Sequence, residues 1–274
     1  MIKRTLLGAT AAAATLMLAA CGSSSSNNAA DSSGTAGTST TAGADLHLVT
    51  PGTLTVCSDV PYAPFEDFDK TSAIGFKGFD IDIDSQIASD LGLKLTVLKE
   101  DFDGLQSGLT LNAGTCDLVS SALTITPDRA KHLTFSDGYY DSEQSLLVPD
   151  GSSITSINDL AGKKVGVQKG TTGKDYATQH AKGATIVDFP SDAEMFLALK
   201  AGQVDALLQD LPVNLAHQQA GGFKVVEKYS TGEQYGLAAK LGNTALIDAV
   251  NKDLAKMKSD GTYKKLYDKY FSIN

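Results

Sequence analysis

Arg129 closes the run Ser121-Ala-Leu-Thr-Ile-Thr-Pro-Asp-Arg, which leaves an apolar strand and enters a short helix. Thr126 suits the N-cap there, and Pro127 suits the first helical position, where a missing N–H loses no bond. The planar guanidinium of Arg129 can grip a carboxylate through two parallel hydrogen bonds, or it can lie solvated on the helix. Lys169-Gly-Thr-Thr-Gly also joins a strand to a helix. Free backbone N–H groups at such a turn attract an anion, although the GxxxxGK[ST] spacing of a phosphate loop is absent. Asp210 ends a strand just before Leu211-Pro212. There it either faces a ligand crevice or caps the Pro-started helix. His47, His132, His180 and His217 are scattered, without HExxH or Cys/His spacing, and no G-x-S-x-G motif occurs. The chain therefore offers opposite charges for recognition and implies no catalytic nucleophile, metal or cofactor.

The elements that must position these groups alternate in period. Leu54-Thr-Val-Cys reads as a short buried strand, and residues 93–98 alternate as a half-buried one. Between them, Ile83, Ile87 and Leu91 recur at four-residue spacing and stack on one helical face. Asp80, Asp82 and Asp84 crowd the first turn, where the positive helix end favours them on a solvated surface. Phe102, Leu105 and Leu109 form the next helical face, and Asp117-Leu-Val-Ser returns as a strand. Lys164-Val-Gly-Val-Gln begins the pattern again, with helices over 172–181 and 191–201 and strands at 185–187 and 205–208. This β-α-β order predicts two α/β lobes with largely parallel sheets. A last stripe, Leu246, Val250, Leu254 and Met257, predicts a helix capped by Asn243 or Thr244. Cys57 and Cys116 fall at the edges of neighbouring strands, so an exported chain is expected to join them if their Cα atoms lie within about 7 Å.

Lys3 and Arg4 precede an apolar run from Leu6 to Ala20 that is too short to span a bilayer and reads as a secretion signal over 1–20. Its end, Leu18-Ala19-Ala20-Cys21, resembles a bacterial lipobox, which implies that Cys21 carries lipid. Residues 22–44 are Ser, Thr, Ala, Gly and Asn with Asp31 as the only charge, a composition that cannot bury a core and suits a tether. The body from 45 has no second membrane-length apolar run, and the net charge of −9 argues against nucleic acid.

The string Gly-Phe-Asp-Ile-Asp-Ile-Asp-Ser-Gln-Ile-Ala-Ser-Asp-Leu at 78–91 resembles the signature of family 3 bacterial extracellular solute-binding proteins, amino-acid receptors of ABC importers. The resemblance covers the body and is strongest to the glutamine-binding branch, through Phe135-Ser-Asp-Gly-Tyr-Tyr and Gln234-Tyr-Gly-Leu-Ala. It implies a two-lobed periplasmic-binding-protein-like fold of type II, with lobe 1 from 45–139 and 234–274 and lobe 2 from 140–233. It also implies site roles. Arg129, Gly170 and Thr172 would take a ligand carboxylate. The Ala122 carbonyl, the Thr124 hydroxyl and Asp210 would take its ammonium, and Asp59 would face its side chain. Tyr62 and Phe102 would be aromatic walls, where spacing alone reads both as plain core. Gln168 departs from the branch, which has Lys there, so an amide or basic side chain is expected rather than an acidic one.

The implied protein is a monomeric, membrane-anchored, non-enzymatic receptor on the outer face, with a permease and an ATPase as partners. Two alternatives stand beside it. One is a cyclohexadienyl or arogenate dehydratase, with Asp59 or Glu66 as general acid. The other is an amino-acid sensor without transport.

Overall fold

The computed structural model describes residues 45–272. The expected signal segment 1–20, Cys21 and the linker to residue 44 lie outside the described residues, as do residues 273 and 274. In chain order the elements are β1 (Thr53–Ser58), β2 (Asp67–Phe68), β3 (Phe76–Lys77), α1 (Phe79–Asp90), β4 (Lys94–Lys99), α2 (Phe102–Gln106), α3 (Leu109–Asn112), β5 (Leu118–Val119) and β6 (Leu133–Phe135). Then come β7 (Tyr140–Pro149), β8 (Lys164–Gln168), α4 (Thr172–His180), β9 (Thr185–Phe189), α5 (Asp192–Lys200), β10 (Ala206–Asp210) and α6 (Leu211–Gln219). The chain closes with β11 (Phe223–Tyr235), β12 (Ala238–Lys240), α7 (Thr244–Asp260) and α8 (Thr262–Phe271).

Two five-stranded sheets result, ordered β4-β1-β5-β12-β6 and β11-β7-β10-β8-β9. In the first, β4, β1 and β5 run parallel, and β12 is antiparallel to β5 and β6. In the second, β10, β8 and β9 run parallel, while β7 and β11 are antiparallel neighbours. The chain leaves the first sheet after β6 and returns to it after β11. β7 and β11 pair from Phe223↔Pro149 to Tyr235↔Tyr140, so one long strand pair carries both crossings.

Each half has its own core. Ile83 and Ile87 of α1 are fully buried against Leu54, Val56 and Leu118, each worth roughly 1.5–3 kcal/mol over exposure. The second core gathers Leu146, Val148, Val165, Val167 and Leu208. Helix starts follow local chemistry, since the side chains of Thr171, Ser191 and Asn243 each accept an N–H from the first turn that follows. A disulfide joins Cys57 and Cys116, whose Cα atoms are 5.8 Å apart.

Two local expectations change. Leu109 does not continue the face of Phe102 and Leu105. Gly108, in the left-handed region, ends α2 and starts α3, and Leu109 is left exposed. Asp80 and Asp84 are not solvated first-turn acids. Both are fully buried, because the first turn of α1 is tucked under the loop that follows β5. Asp80 accepts the Ala122 N–H and the Tyr139 hydroxyl, both at 2.8 Å. Only Asp82 stays at the surface, paired with Lys269 and Tyr270. Gly78 permits this seating: its φ is 138°, and a Cβ there would overlap the Phe65 carbonyl.

Candidate functional site

The loops at the carboxyl ends of the parallel strands meet in one narrow cleft with only about 20 Å³ of free space. From the first sheet come Asp59 and Tyr62 after β1, Phe102 at the start of α2, and Ser121, Ala122, Thr124 and Arg129 after β5. From the second come Gln168 at the end of β8, Thr171 and Thr172 at the start of α4, and Asp210 at the end of β10. Ala122 sits at φ 43°, a strained conformation for a residue with a Cβ, and its N–H bond to the buried Asp80 holds it there. The acidic signature of α1 thus shapes the cleft from beneath.

Arg129 opens a single 3-10 turn, with the Thr126 hydroxyl accepting its N–H at 3.2 Å. Its guanidinium is nearly buried, lies 5.3 Å from the Phe102 ring centre, and donates to the carbonyls of Thr124 (2.7 Å) and Gly170 (3.0 Å). Burial lowers its pKa to about 10, and the charges of Asp210 and Glu233 oppose that shift. It therefore stays cationic at neutral pH, with no carboxylate of the described residues in direct contact.

The Asp210 side chain makes no helix-capping bond to α6. It accepts instead from the Tyr62 hydroxyl at 2.8 Å and from Gln144 Nε2. Burial, and then the charge of Glu233, push its pKa up to about 6. Asp59 is also raised to about 6 by burial, although Gln168 Nε2 donates to it at 2.6 Å. Beneath it, Ser121 donates to the fully buried Glu66, whose carboxyl burial and Asp80 hold well above the usual range. Neutral donors surround these acids, and neutral donors cannot offset a buried charge.

Of the residues singled out from sequence, Asp59, Tyr62, Phe102, Ala122, Thr124, Arg129, Thr172 and Asp210 line the cleft together. Gly170 does not line it; its carbonyl turns toward Arg129 instead. Ser121 and Thr171 also line the cleft and were missed. Thr171 was legible as the N-cap of α4. Gln144 and Glu233 reach the site by long-range strand pairing and gave no local signal. Among the described residues no cluster of His, Cys, Asp and Glu could hold a metal ion, and no helix is long and apolar enough to cross a membrane.

The sequence and the fold resemble those of known proteins. The chain is 39% identical over 199 residues to the ABC transporter glutamine-binding protein GlnH of Bacillus subtilis (strain 168), covering 71% of this chain and 72% of that protein. It is 34% identical over 243 residues to the lysine/arginine/ornithine-binding periplasmic protein of Escherichia coli (strain K12), covering 84% and 92%. An ancestral arginine-binding protein solved with glutamine superposes with a TM-score of 0.76 at 40% identity, over 82% of this chain and all of that one (100%). An ancestral amino acid-binding protein described as a precursor of cyclohexadienyl dehydratase gives a TM-score of 0.72 at 38% identity, over 81% and 96%. Residues 54–273 match the bacterial extracellular solute-binding proteins, family 3, and the chain belongs to that family.

Proposed function

We propose that this chain is the extracytoplasmic binding subunit of an ABC importer and takes a polar L-amino acid with a basic or amide side chain. One observation carries the reading: a single cleft joins a buried guanidinium to two carboxyls, with Arg129 and Asp59 from one half and Asp210 from the other. A free amino acid is a carboxylate and an ammonium on one carbon, and burying both requires paired charge and full hydrogen bonding. Arg129 and the first-turn N–H groups at Thr172 take the carboxylate, with Gly170 orienting Arg129. Asp210, Thr124 and the Ala122 carbonyl take the ammonium. Asp59 faces the side chain, and Tyr62 and Phe102 are the walls. Names of relatives that bind glutamine, arginine or lysine support this class.

The working motion is closure of lobe 1 (45–139 and 234–274) on lobe 2 (140–233), driven by ligand contacts to both. Residues 1–20 act as the export signal, Cys21 bears the lipid, and 22–44 tether the body to the outer membrane face as a monomer. The closed form is delivered to permease and ATPase subunits. A thermal-shift screen of the common amino acids tests the reading, because a ligand bound only by the native state raises its melting temperature. Isothermal titration of Arg129→Ala then tests the site, with an expected loss of about 2–5 kcal/mol. Unchanged affinity removes Arg129 from it.

One observation favours a second reading. Asp59, raised to about 6 inside the cleft, has the acidity a dehydratase needs of its general acid. Turnover of prephenate or arogenate by the purified protein would establish it.

A further inference from the structure

We propose that Glu233 makes the site selective for an ammonium group, acting as a positioning residue through the hydroxyls of Thr124 and Thr172. The inference rests on the amino-acid reading above. Glu233 stands on β11 where the ladder is irregular: Tyr229 pairs with Gln144 and Glu233 with Ser142, so four residues on β11 match two on β7. Gly232, at φ 71°, lets the strand make this bulge. The carboxylate released by the irregular pairing lies between the two halves. Its Oε2 accepts the Thr172 hydroxyl at 2.8 Å, the Thr124 hydroxyl at 3.0 Å and Gln144 Nε2 at 3.2 Å. Both threonines line the cleft; Thr124 comes from the loop after β5, and Thr172 begins α4.

A threonine hydroxyl has one proton and two lone pairs, and a carboxylate only accepts. With each proton committed to Glu233, the lone pairs are what these hydroxyls have left for a ligand. The group they can hold is then a donor, which matches the α-ammonium and excludes an acceptor at the same place. Glu233 also adds its charge to that of Asp210 near Arg129, so the field at that point favours a cation. Gln144 links the two effects, since its Nε2 donates to both Asp210 and Glu233.

Glu233→Gln replaces the acceptor with a group that can donate to Thr124 and turn that hydroxyl's proton toward the ligand. The probes are L-arginine and L-glutamine, each beside its deaminated analogue, 5-guanidinopentanoate or glutaramate, with weak binders read by competition titration. In the wild type each amino acid binds more tightly than its analogue. In E233Q that ratio is expected to fall about tenfold, the scale of one hydrogen bond to a charged group. Glu233→Asp, which keeps the carboxylate, recovers part of the ratio, and in a Thr124→Val/Thr172→Val background, which removes both hydroxyls, E233Q changes it little. A residue that merely clamps the halves together would weaken amino acid and analogue by the same factor. That result, or an unchanged ratio, overturns the inference and leaves the amino-acid site standing. Failure of the wild type to bind either amino acid overturns both.

Discussion

Asp210→Asn separates binding from stability, because the carboxyl is both buried and, on the proposed reading, the partner of the ligand ammonium. The substitution keeps the size of the side chain and an acceptor for the Tyr62 hydroxyl, but removes the charge. In the native state the pKa is about 6, against the ordinary 3.8. Between those values the folded protein holds a proton that the unfolded chain has released. Stability therefore falls as pH rises through this window. A difference of about two units corresponds to roughly 3 kcal/mol, fully expressed above pH 6. The ligand-free D210N protein should accordingly match the wild type near pH 4 and be more stable by up to that amount at pH 7.5. Its affinity should move the other way, down by about 2–5 kcal/mol at pH 7.5, since an ammonium now meets a neutral amide.

The pH profile supplies a second signature. Asp59 and Asp210 both sit at about 6, so both must lose a proton below that pH before they pair with a cationic ligand. Wild-type affinity for L-arginine should weaken below pH 6, with up to two protons released per binding event and one fewer in D210N. Isothermal titration in buffers of different ionisation enthalpy counts those protons, and urea melts at two pH values give the stability change. Equal affinity in D210N, or an equal proton count, refutes the placement of Asp210 against the ammonium.

Other outcomes follow from the packing. Cys57→Ser should lower stability by about 4 kcal/mol, from the chain entropy of a loop of 59 residues, as read by urea melts with and without reductant. Gly78→Ala should cost at least about 3 kcal/mol, because it combines a disfavoured φ with overlap on the Phe65 carbonyl; a melting temperature within two or three degrees of wild type would contradict the seating of α1. Asp80→Ala leaves the Ala122 N–H and the Tyr139 hydroxyl unpaired, at about 1–3 kcal/mol each. Burial raises Asp80 to about 7, so in the wild type this group destabilises the fold as pH rises from 3.8 through 7. The D80A deficit should thus be larger at pH 5 than at pH 8.5, a trend that urea midpoints at the two values would show.

The legible parts of this molecule were those fixed by neighbours in sequence. The stripe Leu246, Val250, Leu254 and Met257 became the buried face of α7, with Asn243 as its cap. Asp210 stood out because it ends a parallel strand, where α/β sheets open their crevices, whereas Asp59 was marked only by the family resemblance. The illegible parts depend on contacts across the chain. Asp80 is buried because it meets Ala122, 42 residues away, so an acidic first turn that looked solvated became part of the site's floor. Glu233 reaches Thr124 over 109 residues and through a strand irregularity that no period reveals. Gly170 was assigned by the family resemblance, but the orientation of one peptide, carbonyl toward Arg129, rests on a contact 41 residues away in sequence. Gly108 broke the face that Leu109 was expected to extend, since a left-handed residue resets the helical phase.

The choice between a basic and an amide side chain turns on Gln168. A Lys there, as the resemblance to the glutamine-binding branch would supply, would neutralise Asp59 and leave a polar pocket suited to an amide. Gln168 gives Asp59 one hydrogen bond at 2.6 Å and no charge, and its remaining bond goes to the Pro190 carbonyl at 3.1 Å. Asp59 consequently stays at about 6, above the usual carboxylate range. A guanidinium or ammonium on the ligand would pull that pKa back down and be held in return, whereas a carboxamide would not. Gln168→Lys should therefore reverse the preference, lowering affinity for L-arginine while sparing L-glutamine, because it places a second cation where the ligand's own must sit. Parallel titrations of the two ligands against both proteins would decide it: equal losses for both would mean that Asp59 does not read the ligand side chain.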